Sequence, residues 1–319
     1  MAQRQITNVT LLGAGVLGGQ IAWQSAFKGK NVVIYDLYEK GLEQCRQDQQ
    51  RYADIYRGNL GATDDMIAAT RGRLSFTTNL AAAAAGADLV IEAVPEIPEV
   101  KTAVYRELAG HLAEHTLVAT NSSTLLPSQF AEATGRPGKY CALHFANYIW
   151  DQNIAEIMAH PGTEEPTLVA VTRFAIEIGM VPIPLRKEQN GYVLNSLLVP
   201  LLNATIGLLA NGVSTPETID RTYLLMNRGC RMGPCGIIDM IGMTTAYNVS
   251  SYWGNEKQDE QLLQGARYIK ENFLDKGKLG AQTGEGFYTY PNPGFSAADF
   301  LDVPDLSRAE ELARLALPG

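Results

Sequence analysis

The sequence predicts an α/β fold, with a doubly wound, mainly parallel sheet in the first part of the chain and an all-helical C-terminal domain after it. Three observations lead to this prediction. Short apolar runs alternate with helical patterns over the first half, as in sheets that are covered by helices on both faces. A glycine-rich turn directly follows the first apolar run. After about residue 187, strand signals give way to helical ones.

The elements of the first half are predicted from their periodicity. Apolar runs indicate buried strands at 6–12, 31–36, 88–94, 116–121 and 140–145. Helical patterns separate them at 16–28, 38–56, 100–115 and 126–134. Repeated alternation of this kind favours parallel strands joined by helices.

A polar run at 187–190 marks the predicted domain boundary, which divides the chain into 1–187 and 188–319. The stretch 191–211 is predicted to be one long apolar helix. Polar residues and Pro200 interrupt it, so a buried helix is favoured over a membrane span. A helix that is apolar on every side needs a cover, and a partner subunit in a homodimer would supply it.

Composition excludes several classes of function. The 319 residues carry 26 Lys and Arg against 34 Asp and Glu, a net charge of −8 with no basic run. Nucleic acid and anionic membranes are therefore poor partners. The four cysteines form no Cys-x-x-Cys pair, which favours free thiols in a reducing compartment. No signal peptide precedes the first apolar run, so we expect a cytoplasmic protein.

The glycine-rich turn is the first functional signal. It reads Gly13-Ala14-Gly15-Val16-Leu17-Gly18. In such a turn the first glycine permits a tight bend, the second lets the backbone approach a pyrophosphate, and the third lets the helix pack on the strand. The pyrophosphate would lie at the helix N-terminus, where unpaired N–H groups attract anions. A Rossmann-like dinucleotide site is predicted.

An acidic residue supports NAD as the cofactor. Asp36 ends the second predicted strand, 18 positions after Gly18. A carboxylate there accepts hydrogen bonds from the adenosine ribose hydroxyls and repels a 2′-phosphate, which favours NAD over NADP. The alternative is a tight strand-to-helix turn with an unrelated acid.

One histidine is placed for acid–base chemistry. His144 ends an apolar strand, the position at which open α/β sheets bind their ligands. Glu156 follows twelve residues later within an apolar stretch, so its carboxylate needs a partner, and His144 is the natural one. The alternative is a purely structural ion pair. His111 and His115 have no third metal ligand nearby in the sequence, so we expect a solvated helix face and no metal site.

Together, the motifs resemble the 3-hydroxyacyl-CoA dehydrogenase family over nearly the whole chain. The resemblance rests on the glycine turn, Asp36, Val94-Pro95-Glu96 with Lys101, Asn121-Ser122-Ser123, His144-Phe145-Ala146-Asn147, Glu156, Gly191-Tyr192-Val193-Leu194-Asn195 and Gly284-Glu285-Gly286-Phe287-Tyr288. It implies a Rossmann-like domain, a helical domain that forms a dimer, and NAD-dependent interconversion of (S)-3-hydroxyacyl-CoA and 3-ketoacyl-CoA in fatty acid metabolism.

The resemblance also implies roles for individual residues. His144 matches the general base and Glu156 the carboxylate that orients it. Ser123 and Asn195 match polar residues that hold the reacting oxygen of the substrate and its surroundings. Glu96, Lys101, Asn147 and Ser123 match positions near the nicotinamide half of NAD, while Gly13, Gly15, Val16, Leu17, Gly18 and Asp36 match its other half. Helix capping by Ser123 and a buried helical amide at Asn195 are the alternative roles.

Two departures leave the substrate open. Tyr148 stands where the family usually has proline, and Trp150-Asp151-Gln152 replace a stretch that is usually apolar. This segment lies between the base and its orienting acid, so we expect it to shape the substrate pocket. A short-chain acyl-CoA thioester such as 3-hydroxybutyryl-CoA is the first expectation. A 3-hydroxy acid without CoA, as in gulonate or carnitine dehydrogenases, and a nucleotide-binding protein without catalysis are the alternatives.

Overall fold

The structure, a computed structural model, describes residues 5–230 and 232–317. Two compact units divide the chain. The first runs to Ala204 and takes the chain up again at Val303, and the second spans Thr205–Asp302. The domain boundary that the sequence predicts near residue 187 remains a prediction, and the division into compact units falls after Ala204.

An eight-stranded sheet forms the centre of the first unit. Its strands are β1 (Asn8–Leu12), β2 (Asn31–Tyr35), β3 (Leu74–Thr77), β4 (Leu89–Glu92), β5 (Leu117–Thr120), β6 (Tyr140–Phe145), β7 (Ile154–Met158) and β8 (Val181–Leu185). Their order across the sheet is β3-β2-β1-β4-β5-β6-β7-β8. Every neighbouring pair is parallel except β6 and β7. The predicted doubly wound, mainly parallel sheet is confirmed.

Helices of the first unit cover both faces of this sheet. They are α1 (Val16–Phe27), α2 (Glu39–Leu60), α3 (Asp64–Gly72), α4 (Leu80–Ala84), α5 (Pro98–Ala109), α6 (Glu165–Glu177) and the first part of α7 (Leu194–Ala210). The last helix of the chain, Ala309–Leu315, also belongs to this unit. Buried strand residues such as Leu11, Ile91 and Leu143 pack in one cluster, and Leu12, Val90 and Val118 pack in another. Each large apolar side chain buried in this way stabilises the fold by roughly 1.5–3 kcal/mol.

One helix predicted in the first unit was wrong, and the strands β3, β7 and β8 were not predicted. The predicted helix at 126–134 consists of two short 3₁₀ turns, Pro127–Gln129 and Ala131–Thr134, because Pro127 has no N–H to continue a longer ladder. The strand β8 was not predicted, since Pro182 and Pro184 argue against a strand. It is tolerated because β8 is an edge strand. The Val181 N–H donates inward to Asn153, so the alternate proline nitrogens face outward.

The second unit is helical, as predicted. It contains the end of α7 and the helices α8 (Pro216–Met226), α9 (Pro234–Ile241), α10 (Met243–Lys257) and α11 (Glu260–Asn272); the helix at Ala309–Leu315 is α12. Buried Asp239 on α9 accepts hydrogen bonds from the Phe287 and Tyr288 amides at 2.8 and 3.0 Å and from the Tyr290 hydroxyl at 3.0 Å. One carboxylate thus fixes the glycine-rich segment that closes the unit. Within the described ranges, no helix has the length and hydropathy to cross a membrane.

Candidate active site

A buried histidine–carboxylate pair lies at the carboxyl end of β6. His144 and Glu156 stand directly opposite each other in the antiparallel β6–β7 register. The His144 Nδ1 and Glu156 Oε2 atoms are 2.7 Å apart, and the two residues are only 4% and 1% exposed. The predicted pairing is therefore present. It arises because β7 runs antiparallel to β6, which brings two residues that are twelve positions apart in the sequence into one cross-strand pair.

The second oxygen of Glu156 reaches a different element. Its Oε1 accepts hydrogen bonds from the Val193 and Leu194 amides at 2.8 and 2.9 Å, where α7 begins. An ionised carboxylate accepts hydrogen bonds only, so the proton in the pair belongs on Nδ1 of His144. The Nε2 atom of the neutral ring is then left to accept a proton.

The backbone before α7 brings an aromatic ring onto this pair. The rings of Tyr192 and His144 have their centroids 5.0 Å apart and are tilted by 41°. Tyr192 has a φ of +54°, and Gly191 before it has a φ of +77°. A side chain in the left-handed region is uncommon outside asparagine, aspartate and glycine. The amides of Val193 and Leu194 on Glu156 help to hold this bend.

The turn after β5 brings one predicted residue, Ser123, close to another, Asn195, at the start of α7. The Asn195 side-chain amide donates to the Ser123 carbonyl at 3.2 Å. Asn121, two residues earlier, accepts a hydrogen bond at 2.9 Å from the Phe145 amide, next to His144. The structure therefore links the Ser123 turn to β6 and to α7.

Glu96 anchors this turn. Its Oε1 accepts from the Ser122 hydroxyl, from the Ser123 amide at 3.1 Å and from the Thr124 amide at 3.2 Å. Its Oε2 lies 3.1 Å from the Lys101 ammonium. Burial alone would raise the pKa of the Glu96 carboxyl, but the Ser122 hydrogen bond and the Lys101 charge outweigh it and lower the pKa to about 2.

A buried cluster around Glu92 holds the Lys101 ammonium that contacts Glu96. This cluster was not predicted from the sequence. The Glu92 Oε1 atom accepts from the Lys101 ammonium at 2.6 Å, and Oε2 accepts from the hydroxyls of Tyr105 at 2.5 Å and Thr120 at 2.8 Å. Lys101 is 1% exposed and Glu92 is fully buried. The signal was available, because Glu92 is a carboxylate within an apolar strand, as Glu156 is.

The glycine turn has the shape that a dinucleotide needs. Gly13 has a φ of +108°, and a Cβ atom on it would lie 2.5 Å from the Ala93 carbonyl oxygen. A Cβ on Gly18 would lie 2.1 Å from the Gly13 oxygen, whereas one on Gly15 would point into open space. No side chain caps the N-terminus of α1. Its free N–H groups, with Val16 and Leu17 in the first turn, therefore face an open approach for a pyrophosphate.

Asp36 lies at the end of β2 beside this turn. Its Oδ2 accepts from the Ala14 amide at 2.9 Å and its Oδ1 from the Tyr38 amide at 3.0 Å. A carboxylate has about four acceptor positions, so both oxygens keep capacity for ribose hydroxyls. The glycine turn and Asp36 together fit NAD.

Asn147, the last predicted residue near the cofactor, is exposed three residues after His144. In the part of the chain that the structure describes, no three His, Cys, Asp or Glu side chains form a metal site.

The depressed pKa of Glu96 predicts a pH-dependent stability. Its value is 4.5 for the free side chain and about 2 in the fold, so the unfolded state binds the proton more readily. The stabilisation is complete above the unfolded pKa and is lost as pH falls through the folded one. We expect Glu96→Gln to lose less stability than the parent protein between pH 5 and 2. Urea unfolding across this range measures the difference, and equal slopes for both proteins would contradict it.

Two family sequence models together match most of the chain. The model described as "3-hydroxyacyl-CoA dehydrogenase, NAD binding domain" matches residues 8–189, and the model described as "3-hydroxyacyl-CoA dehydrogenase, C-terminal domain" matches residues 191–290. The first contains the glycine turn, Asp36 and the His144–Glu156 pair, and the second begins three residues before α7.

Individual relatives agree with these matches. The mitochondrial hydroxyacyl-coenzyme A dehydrogenase of Rattus norvegicus is 32% identical over 294 residues, which cover 89% of this chain and 91% of the relative. A diketoreductase, whose structure is described as showing substrate-directed dual catalysis of dicarbonyl compounds, is 48% identical with a TM-score of 0.67 over 90% of this chain and 100% of its own. The (S)-3-hydroxybutyryl-CoA dehydrogenase of Ralstonia eutropha is 28% identical with a TM-score of 0.64, again over 90% of this chain and 100% of its own. The chain therefore belongs to the 3-hydroxyacyl-CoA dehydrogenase family and is an NAD-dependent enzyme.

Proposed function

We propose that this enzyme interconverts (S)-3-hydroxyacyl-CoA and 3-ketoacyl-CoA of short chain length, such as 3-hydroxybutyryl-CoA, with His144 as the general base. The observation that carries the proposal is the buried His144–Glu156 pair at the carboxyl end of β6. The family membership and the two CoA-dependent relatives support the thioester. Such a reaction belongs to fatty acid metabolism.

In this proposal the pair moves one proton. When bound, NAD supplies the acceptor for the hydride that leaves C3 of the substrate. The Nε2 atom of His144 takes the proton of the C3 hydroxyl. Glu156 holds the ring through Nδ1 and stabilises the imidazolium that forms, because the charged hydrogen bond strengthens as the proton arrives. The Val193 and Leu194 amides keep Glu156 in place.

Ser123 and Asn195 would hold the C3 oxygen. One N–H of the Asn195 amide is engaged by the Ser123 carbonyl, which fixes the plane of the amide. Its other N–H and the Ser123 hydroxyl would donate to the substrate oxygen, which gains carbonyl character during oxidation. Helix capping was the alternative role for Ser123; the next helical turn begins at Pro127, with Leu126 at its N-cap position.

The cofactor would be held by two groups of residues. Gly13, Gly15 and Gly18 with the amides of Val16 and Leu17 would hold the pyrophosphate, and Asp36 the adenosine ribose. Glu96 and Asn147 would lie at the nicotinamide half. We assign Lys101 a positioning role beside Glu96, because its ammonium is buried between Glu92 and Glu96.

A second candidate is the reduction of dicarbonyl compounds without CoA. The observation that favours it is the 48% identity to the diketoreductase, against 32% and 28% for the two CoA-dependent relatives described above. The departure at Tyr148–Gln152 points in the same direction, because this segment lies between the base and its orienting acid.

The glycine turn offers a matched pair of substitutions. Gly15→Ala is expected to keep the thermal stability of the parent protein and to weaken NADH binding at least tenfold, because its methyl group enters only the open space where the pyrophosphate would approach. Gly18→Ala is expected to destabilise the fold by about 1–3 kcal/mol, since its methyl group meets the Gly13 oxygen. Thermal unfolding and NADH fluorescence titration separate the two effects. Normal NADH affinity in Gly15→Ala would contradict the assignment of the pyrophosphate site.

Oxidation of NADH at 340 nm tests the reaction. We expect turnover with acetoacetyl-CoA and none with free acetoacetate if CoA supplies binding energy. Turnover with a dicarbonyl compound that carries no CoA, and not with the thioester, would favour the second candidate. His144→Gln keeps a donor toward Glu156 but removes the base, so kcat should fall by about 10²–10⁴-fold while NADH binding is retained.

His111→Gln is the control for this experiment, because that histidine lies outside the pair and should keep parental activity. Parental kcat in His144→Gln would overturn the assignment of the base. Loss of NADH binding in the same variant would mean that the histidine supports the fold of the cofactor site.

We also propose a homodimer in the cytoplasm. The α7 side chains Leu197, Val199 and Leu202 are 56%, 46% and 48% exposed, and a partner subunit would cover them. The four cysteines are free, which suits a reducing compartment.

Light scattering tests the dimer. The parent protein should have twice the chain mass of 34.7 kDa, and the double substitution Leu197→Glu with Leu202→Glu should halve it, because two buried charges would oppose association. Leu315→Glu on α12 changes an equally apolar exposed residue and should leave the mass unchanged. A monomeric parent protein would refute the proposal.

A further inference from the structure

Tyr192 is buried against His144, and the reaction proposed above gives it no role. Its side chain is 1% exposed. The centroid of its ring lies 5.0 Å from that of the His144 imidazole, and the two planes are tilted by 41°. Aromatic rings at this separation are in contact. The imidazole therefore touches two neighbours, the carboxylate of Glu156 through Nδ1 and the ring of Tyr192.

The backbone at Tyr192 adopts an uncommon conformation that brings the ring to this place. Tyr192 has a φ of +54° and Gly191 a φ of +77°. A left-handed conformation costs energy for a tyrosine and persists only where neighbouring contacts enforce it. The Tyr192 amide donates to the Gln189 carbonyl at 3.1 Å, and the Ser196 hydroxyl donates to the Tyr192 carbonyl. The next two amides bind Glu156, so the carboxylate that holds the imidazole also holds the bend that carries the ring.

The Tyr192 side chain is packed on several sides by residues of the sheet. It forms one apolar cluster with Ala142 of β6, Met158 of β7 and Leu185 of β8, and Leu126 lies against this cluster. The three strands are neighbours in the sheet. Close packing of this kind leaves a large ring few rotamers. The fold therefore sets the position of the ring beside His144.

The Tyr192 hydroxyl does not share in the hydrogen bonds around the pair. It is buried, and among the residues that the structure describes it has no hydrogen-bond partner. Burial raises the pKa of this hydroxyl well above its usual range, so it stays protonated at neutral pH. A hydroxyl that is neither hydrogen-bonded to His144 nor ionised offers no route for a proton. The ring is the part of Tyr192 that can act on the base.

The ring supplies a constraint that Glu156 alone does not. A hydrogen bond at Nδ1 fixes one atom of the imidazole but permits the ring to pivot about that atom, which would change the direction of the Nε2 lone pair. A second ring packed against the imidazole restricts this pivot. Proton transfer depends on the direction, because a base must lie within hydrogen-bond reach of the proton that it takes. A displacement of about 1 Å near the reacting atoms can lower the rate by about 100-fold.

We propose that Tyr192 is a positioning residue whose ring, together with Glu156, fixes the direction of Nε2 of His144, and whose hydroxyl takes no part in proton transfer. The inference rests on the proposed function, because it takes His144 to be the general base.

Removal of the ring and removal of the hydroxyl test the two halves of this proposal. Tyr192→Leu keeps an apolar side chain without the ring, so kcat with acetoacetyl-CoA should fall by about 10–100-fold while the Kd for NADH is retained. Tyr192→Phe keeps the ring without the hydroxyl and should keep the parental kcat and the parental pH profile of kcat. A low kcat in Tyr192→Phe, or a parental kcat in Tyr192→Leu, would overturn the proposal.

Tyr192→Met is a second ringless variant for the case that leucine does not fold at this position. Its flexible side chain can fill an irregular space, and it should show the same loss of kcat as Tyr192→Leu. Parental turnover in a folded Tyr192→Met protein would contradict the role of the ring.

Leu185→Ala is the matched control for loss of packing. Leu185 belongs to the same apolar cluster as Tyr192, so this variant should lower the midpoint of thermal unfolding by several degrees and keep the parental kcat at temperatures well below that midpoint. A loss of kcat as large as that of Tyr192→Leu would mean that a loosened cluster lowers the rate, which would refute the specific role of the ring.

Nuclear magnetic resonance of the histidine rings tests the contact without any reaction. The chain has four histidines, and His144→Gln identifies the signals of His144. An aromatic ring shifts the resonances of protons packed against it, so Tyr192→Leu should move the His144 signals more than those of His111, His115 and His160. Tyr192→Phe should keep them at their parental positions. His144 signals that do not move in Tyr192→Leu would overturn the proposal.

The failure of this inference and the failure of the proposed function are then distinguishable. Shifted His144 signals in Tyr192→Leu, in a parent protein that oxidises NADH with no 3-oxo substrate, would support the orientation of the imidazole by the ring and refute the proposed reaction. Turnover of acetoacetyl-CoA by the parent protein with an equal kcat in Tyr192→Leu would leave the proposed reaction standing and refute the positioning role.

Discussion

The carboxylate of Glu156 is the interaction on which the candidate site depends. One of its oxygens holds His144 on β6, and the other accepts two amides at the start of α7. A buried carboxylate is costly unless it is fully hydrogen-bonded, so strand, histidine and helix are held in one arrangement. Removing one partner of a buried pair costs about 3–5 kcal/mol, and here the loss of Glu156 would also release the His144 ring.

A second buried charge cluster stabilises the neighbouring turn. Lys101 lies between Glu92 in the core and the partly exposed Glu96 in the loop after β4. Glu96 then accepts hydrogen bonds from the Ser122–Thr124 turn, whose Ser123 carbonyl accepts from Asn195. The two clusters are thus connected through Asn195. Glu156 accepts hydrogen bonds from the start of α7, which carries Asn195, and Glu96 holds the turn that Asn195 contacts. Such connected networks hold polar groups in one geometry.

The features that could be predicted from the sequence are those that a few neighbouring residues specify. The glycine turn, Asp36 and the apolar strands were found because each is encoded within a few residues. The strand β7 and its antiparallel direction were not predicted, since a five-residue apolar run does not reveal its partner. The pairing of His144 with Glu156 was nevertheless inferred, because a carboxylate among apolar residues requires a partner wherever it lies. The same argument applied to Glu92 would have predicted buried partners, which the structure shows to be Lys101, Tyr105 and Thr120.

The connection between β6 and β7 lies beside the His144–Glu156 pair but is held by separate contacts. The two strands carry His144 and Glu156 in register, so the distance between base and carboxylate is set by strand pairing. The loop between them, which includes Tyr148 and Trp150, makes no hydrogen bond of the pair itself and packs instead on Gln20 and the tyrosines of α2. Changes in this loop can therefore leave the position of His144 unchanged. Under the proposed function, the pair that would transfer the proton and the loop that we expect to shape the pocket are held by different contacts, although their residues are neighbours in the chain.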